Sequence, residues 1–190
     1  ITVPPPVLAA GGIRFDPPLP VEKQEALAAL PGGRFVKVGL RLDAPLADFP
    51  EYAHDLDRAA RGETFVLHAD RRQPLATAIL SGRYAEAVSR EGADALAAAG
   101  RDALAALFGT DAGRRVQGAT ATDWSADPRA LGPYTTVTLG ARQARARYAE
   151  ALEERLFFAG DSAPSPWAIT VAGARRSGEG VAQEILALQA

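Results

Sequence analysis

Three groups of residues have the types and spacing for chemistry. The first is Leu156-Phe157-Phe158-Ala159-Gly160-Asp161-Ser162, followed by Thr170-Val171-Ala172-Gly173-Ala174 and Ser177-Gly178. An apolar run ends at a glycine and a carboxylate, a proline-containing loop follows, and a helix opens on small or β-branched residues. Such an opening lets backbone approach a flat ligand closely, and the free N–H groups of a first helical turn favour negative charge there. The Asp161 carboxylate can accept hydrogen bonds from sugar-like hydroxyls. Taken alone, the pattern more often serves a tightly packed strand–loop–helix crossover. The second group is Lys37, set among Phe35, Val36 and Val38. Only two of the 21 basic residues are lysine, so arginine is this chain's usual surface cation. A lysine at mid-strand is commonly an edge or surface residue, and this chain's preference for arginine at such surfaces argues the other way. The third group is Trp124 and Tyr134, large aromatic residues that taken alone are more often core packing than site residues.

Other constellations carry less. Gly178-Glu179-Gly180 echoes a dinucleotide glycine pattern but lies within a helical stretch, and no Gly-x-Gly-x-x-Gly follows a strand in this chain. His54 and His68 lack ligand-like spacing, so no metal is expected. Ser162 and Ser177 have no nucleophile-elbow context. Arg71-Arg72 and Arg175-Arg176 read as solvated pairs, the second with the option of facing a phosphate.

The elements that must position these groups follow from periodicity. Residues 34–42 alternate as a strand, with Val36, Val38, Leu40 and Leu42 on one face and Phe35, Lys37, Gly39 and Arg41 on the other. Residues 64–68 and 75–80 form a hairpin-like antiparallel pair around Asp70–Pro74. Residues 116–123 add a strand. Residues 1–3 read as a strand end stopped by Pro4, Pro5 and Pro6, and residues 156–159 as a short apolar strand. Helices are expected over 21–30, with Val21, Ala26, Leu27 and Leu30 inward, over 84–108 with breaks near Gly92 and Gly100, and over 170–189. Residues 141–152 read as an Arg/Ala/Glu-rich surface segment. This order lacks regular βαβ alternation, which favours an α+β body, its sheet antiparallel or mixed, attached to a piece of an α/β domain.

Hydrophobic residues at 47% and charged residues at 23% place the chain among globular proteins. A net charge of -2 gives no reason to expect nucleic acid or an anionic membrane as partner. No apolar run approaches the roughly 20 residues of a membrane span. The absence of Cys excludes disulfides and thiolate metal sites and leaves the compartment open, the cytoplasm being favoured.

The segment around Gly160 and Thr170 resembles the C-terminal FAD motif of flavin-containing amine oxidases: monoamine and polyamine oxidases, histone lysine demethylases and L-amino-acid oxidases. Four more stretches extend the resemblance in order: Ile1-Thr2-Val3-Pro4; Ile13-Arg14-Phe15-Asp16-Pro17-Pro18-Leu19-Pro20; Phe35-Val36-Lys37-Val38; and Trp124 to Pro128 with Gly132-Pro133-Tyr134-Thr135-Thr136. The resemblance implies that Gly160, Asp161, Thr170, Val171 and Ala174 contact FAD. It implies that Lys37 holds a water near flavin N5, with Trp124 packed beside it, and that Tyr134 is one wall of an aromatic cage around the substrate nitrogen. Monoamine oxidases have a tyrosine as the second wall where this chain has Thr170, so a half-cage is expected, closer to polyamine oxidases and demethylases. Asp161 stands where glutamate is commoner.

The expected activity is FAD-dependent oxidation of an amine or amino acid to an imine, with oxygen reduced to hydrogen peroxide. Residues 1–12 and 146–190 are expected in the FAD-binding (Rossmann-like) domain and residues 13–145 in the substrate-binding domain. The chain reads as the C-terminal part of an enzyme whose remaining FAD site lies in a missing N-terminal portion or a partner chain. Alone, it is expected to bind FAD poorly and to associate into oligomers. Two alternatives are a catalytically silent fragment or subunit, and a flavin desaturase or protoporphyrinogen-oxidase relative.

Overall fold

The computed structural model describes residues 1–189 and divides into two compact units. One is the contiguous stretch Arg34–Trp124; the other joins Ile1–Gly33 to the chain from Ser125 onward.

The contiguous unit is built on a five-stranded antiparallel sheet. Its strands are β1 (Phe35–Leu42), β2 (Tyr52–Ala53), β3 (Phe65–Ala69), β4 (Leu75–Ser81) and β5 (Val116–Asp123), in the order β2-β3-β4-β1-β5. The alternation read from the sequence is the burial pattern observed. Val36, Val38, Leu40 and Leu42 on β1, Phe65, Leu67 and Ala69 on β3, and Ala76, Ala78 and Leu80 on β4 form one covered face. Helices α4 (Gly82–Arg90), α5 (Ala93–Phe108) and α6 (Thr110–Arg114) close over that face; α3 (Leu56–Ala60) lies between β2 and β3 in sequence. Gly92 has φ 97° and separates α4 from α5 as expected. Gly100 does not break α5. A Cβ there would lie 2.7 Å from Val38 Cγ1 and 3.2 Å from Leu40 Cδ2, so glycine lets the helix rest directly on β1. The hairpin turn is closed by Asp70, whose carboxylate accepts the amides of Arg72 and Gln73 at 2.8 and 3.0 Å; these bonds hold its pKa below the usual carboxylate value.

The second unit carries α1 (Pro5–Ala9), α2 (Val21–Ala28), α7 (Ala144–Ala149) and α8 (Val171–Ala187), joined by long irregular segments. Four expectations differ from the structure. The prolines after Val3 do not merely stop a strand: Pro5 begins a short helix, where its fixed φ and missing N–H do no harm. On α2, Ala26, Leu27 and Leu30 are buried, but Val21 is exposed and Lys23 takes its place inside. Segment 141–152 is not simply surface, since Ala144 and Tyr148 on α7 are buried with Leu27, Leu30 and Phe158. Residues 1–3 and 156–159 form no ladder. They meet through the Ala159 amide donating to the Ile1 carbonyl at 2.9 Å, while Leu152 and Leu156 form an isolated bridge. The Ile1 amino group also donates to the Phe157 carbonyl at 2.6 Å, so the two segments are joined by hydrogen bonds without forming a strand.

Candidate functional site

The loop joining Phe158 to α8 is held at both ends by its own backbone. Gly160 has φ 136°, a region closed to side chains, and its amide donates to Ser177 Oγ at 3.2 Å. The Ile169 amide donates to the Asp161 carbonyl at 2.7 Å, which closes residues 161–169 into a compact loop. Ile169 has φ 61°, a strained conformation for a β-branched residue, at the last position before the helix cap. Thr170 caps α8: its hydroxyl accepts the Gly173 amide at 3.1 Å and donates to the Trp167 carbonyl at 2.6 Å. Gly173 touches the same carbonyl so closely that a Cβ would fall 2.0 Å from the oxygen. The helix therefore begins against the loop backbone with no room for a side chain. Val171 is 89% exposed. The amides of Val171 and Ala172, in the first turn, have no intrahelical partner, and Ala174 follows one residue beyond the buried Gly173.

Tyr134 belongs to the same unit and is half-exposed. Its carbonyl accepts the Gly33 amide at 2.7 Å, and Gly33 packs against its ring. Thr136 and Thr138 continue the contact by donating their amides to Pro31 and Ala29. Gly32 has no space for a Cβ, which would stand 2.0 Å from the Leu131 carbonyl oxygen. These glycines let two irregular strands of backbone lie against each other and fix where the tyrosine leaves the chain.

A buried polar cluster links the Tyr134 segment to the Asp161 loop. The Thr135 and Ser162 hydroxyls lie 2.8 Å apart, both nearly inaccessible. Arg145, near the start of α7, donates to the Ser162 carbonyl through Nη1 at 3.0 Å and to the Thr135 carbonyl through Nη2 at 3.0 Å. Burial lowers the Arg145 pKa, and the charge of Asp161 opposes that shift. At the other end of α7, Lys23 Nζ donates to the carbonyls of Arg147, Tyr148 and Glu150 at 2.6, 3.0 and 2.6 Å and lies 4.3 Å from the centre of the Phe158 ring. Burial brings its pKa down to about 8, with Glu150 acting in the opposite direction. Tyr148 donates to the Ala159 carbonyl at 3.3 Å, and burial pushes its pKa up to about 12, Asp161 adding to the effect.

Lys37 and Trp124 belong to the contiguous unit. Lys37 lies on β1, third residue of a central strand and not an edge, paired with Ile79 on β4 and Thr122 on β5. Its side chain is exposed on the sheet face opposite the helices, where Phe35 and Gly39 flank it on β1. Trp124 follows two residues after Thr122 and is 52% exposed. Among the described residues no group of three or more His, Cys, Asp or Glu side chains is arranged to hold a metal ion, and no helix is long and apolar enough to cross a membrane.

The sequence profile of the family described as flavin containing amine oxidoreductase matches residues 1–186. This chain belongs to that family. Among its relatives, a Drosophila melanogaster protein named "Possible lysine-specific histone demethylase 1" is 31% identical over 183 residues, which cover 87% of this chain and 20% of that protein. Polyamine oxidase 4 of Oryza sativa subsp. japonica is 30% identical over 188 residues, 97% of this chain and 38% of the oxidase. In three dimensions, cyclohexylamine oxidase from Brevibacterium oxydans superposes with a TM-score of 0.73 at 25% identity, covering 97% of this chain and 41% of the enzyme. Putrescine oxidase bound to putrescine gives a TM-score of 0.82 at 20% identity over 98% of this chain and 42% of the oxidase, a likeness of fold. The chain thus spans about two fifths or less of the length of these relatives.

Within the amine oxidoreductase family the implied cofactor is a flavin. The structure brings Tyr134, Gly160, Asp161, Thr170, Val171 and Ala174 into one unit, with Lys37 and Trp124 in the other. The sequence reading did not single out Lys23, Thr135 or Arg145, and it treated Gly173 only as one of several small residues. Lys23 had a signal: it is the second of the chain's two lysines. Arg145 had none, being one arginine among many.

Proposed function

We propose that this chain is part of a flavin-dependent oxidase of amines or amino acids, with residues 1–12 and 146–190 in its FAD-binding domain and residues 13–145 in its substrate-binding domain. The observation that carries this reading is the start of α8: a helix pressed onto the Trp167 carbonyl through Gly173, with Val171 exposed and two first-turn amides lacking helical partners. That surface fits the edge of a flat, electron-rich ring. Gly173 lets the helix start lie directly on the loop backbone, and the N-terminal end of a helix favours negative charge.

In this reading Gly160, Asp161, Thr170, Val171 and Ala174 hold FAD, the Asp161 carboxylate accepting hydrogen bonds from ribityl-type hydroxyls. FAD held there would supply the acceptor for a hydride from the C–H next to nitrogen, with oxygen as the final acceptor and hydrogen peroxide as the product. The chain's residues do the aligning. Tyr134 presents a π face to the amine, attracting it when protonated and orienting it when neutral. Thr170 forms no second wall, because it has no π face, and its hydroxyl is engaged with the Gly173 amide and the Trp167 carbonyl. The resulting half-open cage fits secondary or extended amines better than small aromatic ones. Lys37 holds a water at the reaction face through its ammonium, and Trp124 covers that face. Contacts to the adenine and pyrophosphate come from outside these residues, in line with the share of the solved oxidases that the chain covers.

The experiment is anaerobic titration of the holoenzyme with a panel of polyamines, monoamines and amino acids, followed by admission of oxygen. The expected result is bleaching of the oxidised flavin band by at least one class, and one peroxide per turnover on reoxidation. A flavin that no amine or amino acid reduces refutes the proposal.

A further inference from the structure

We infer that Arg145 is a positioning residue that fixes the distance between the Tyr134 wall and the Gly160–Asp161 turn. The inference rests on the reading of those residues as substrate and cofactor contacts. One guanidinium joins the two segments. Nη2 takes the carbonyl of Thr135, directly after Tyr134, and Nη1 takes the carbonyl of Ser162, directly after Asp161, each at 3.0 Å. Nη1 also lies 3.4 Å from Thr135 Oγ1, and the Thr135 and Ser162 hydroxyls are bonded to each other at 2.8 Å. Thr135 is 3% exposed and Ser162 1%, so water is not a substitute partner for these groups.

The identity of the partners decides between positioning and simple ion pairing. Among the described residues, the hydrogen bonds of Arg145 reach backbone carbonyls and a hydroxyl, and none reaches a carboxylate. Peptide groups bonded this way carry the neighbouring Cα atoms with them, so moving the Thr135 carbonyl moves the root of the Tyr134 side chain. A planar fork specifies the separation of its two acceptors, whereas an ammonium is a point charge on a flexible stem and specifies none. The frame behind the fork is firm as well. Arg145 lies in the first turn of α7, and Lys23 binds three carbonyls at the last turn of the same helix.

The test uses the holoenzyme and the apparent amine Kd from anaerobic flavin bleaching. Arg145→Lys keeps the charge and removes the fork. It should retain bound flavin and weaken the amine about tenfold, equivalent to about 1.4 kcal/mol, with a smaller loss in the limiting bleaching rate. Tyr134→Ala should weaken the amine too, and the double variant should be no weaker than Tyr134→Ala alone, because the clamp acts through that ring. Losses that add in the double variant, or an unchanged Kd in Arg145→Lys, overturn the inference. If Arg145→Lys does not fold, Thr135→Val takes its place, with an expected weakening of about threefold that again vanishes on the Tyr134→Ala background; additivity or no effect there overturns it equally. Wild-type bleaching by amine is the control that separates the two ideas. Its absence refutes the oxidase reading, and its presence leaves the variant data to judge the clamp alone.

Discussion

Replacing Lys23 with methionine keeps the aliphatic stem and removes the ammonium from beneath the end of α7. Three carbonyls then lose a donor. They belong to the last turn of that helix and its cap, where intrahelical partners are absent in any case. Hydrogen bonds to a charged donor contribute about 1.5–3 kcal/mol each, which sets a gross loss of about 5–9 kcal/mol. Two effects reduce it. The Arg147 and Glu150 carbonyls are only partly buried and can turn to water. Burial of the charge, which brings the pKa from 10.5 to about 8, already opposes the folded state by about 3 kcal/mol. The expected net destabilisation of Lys23→Met is about 2–4 kcal/mol. Guanidinium unfolding at pH 7, followed by far-ultraviolet circular dichroism with flavin at a fixed concentration, measures it. A variant within about 0.5 kcal/mol of wild type, the range of ordinary surface substitutions, would show that the three carbonyls do not depend on Lys23 and would refute the reasoning.

The same residue predicts a pH dependence. Its folded pKa of about 8 lies below the unfolded value of 10.5, so between those pH values the unfolded chain binds more protons and stability rises with pH. This contribution is complete above about 10.5 and is lost as pH falls through about 8; the difference in unfolding free energy between wild type and Lys23→Met should follow that curve, and a flat difference would contradict it. Lys37→Met should slow reoxidation of reduced flavin by about 10²-fold or more while leaving amine-dependent bleaching within a few-fold; stopped-flow mixing with oxygen reads it, and equal reoxidation rates would exclude the assigned role. Gly173→Ala places a methyl 2.0 Å from a backbone oxygen that cannot yield alone, so the first turn of α8 must retreat by about 1 Å. Flavin affinity should fall by tenfold to about 10²-fold with helix content unchanged, and a wild-type flavin titration would count against the placement of the ring.

Strands β1, β3, β4 and β5 were legible because alternation and turn punctuation are local signals, and on β1 Val36, Val38, Leu40 and Leu42 needed only their own spacing to be placed inward; the two-residue β2 carried no such pattern, and residues 1–3 and 156–159 formed no strand. The final helix was legible from its small-residue first half and later apolar positions, although Thr170, read as its first residue, is its cap. Gly100 was misread because a glycine within a helix has the same letter whether it breaks the helix or admits a neighbour, and only the approach of Val38 decides between them. Pro5 was misread for a similar reason, since a residue that ends a ladder also begins a helix. Lys23 finds its acceptors 124 to 127 positions away, a distance over which no local pattern operates. The Arg145 fork depends on two carbonyls, groups that every residue possesses and that sequence therefore does not mark. The motif residues Gly160, Asp161 and Thr170 were visible as letters, whereas the clamp that joins the Gly160–Asp161 turn to Tyr134 belongs to tertiary structure.

The path of the chain has a further consequence. The sheet unit leaves its neighbour at Gly33 and returns at Ser125, and its first and last strands, β1 and β5, are hydrogen-bonded along nearly their whole length, with Val36 opposite Asp123. An insertion whose two ends are adjacent closes only a short gap in its host, so its interior can lengthen, shorten or be exchanged at small entropic cost to the host. It is also complete in one run of synthesis, before the later half of its host has been made. A nascent chain can therefore assemble the sheet first and use it as the tether that brings Gly33 and Ser125 together.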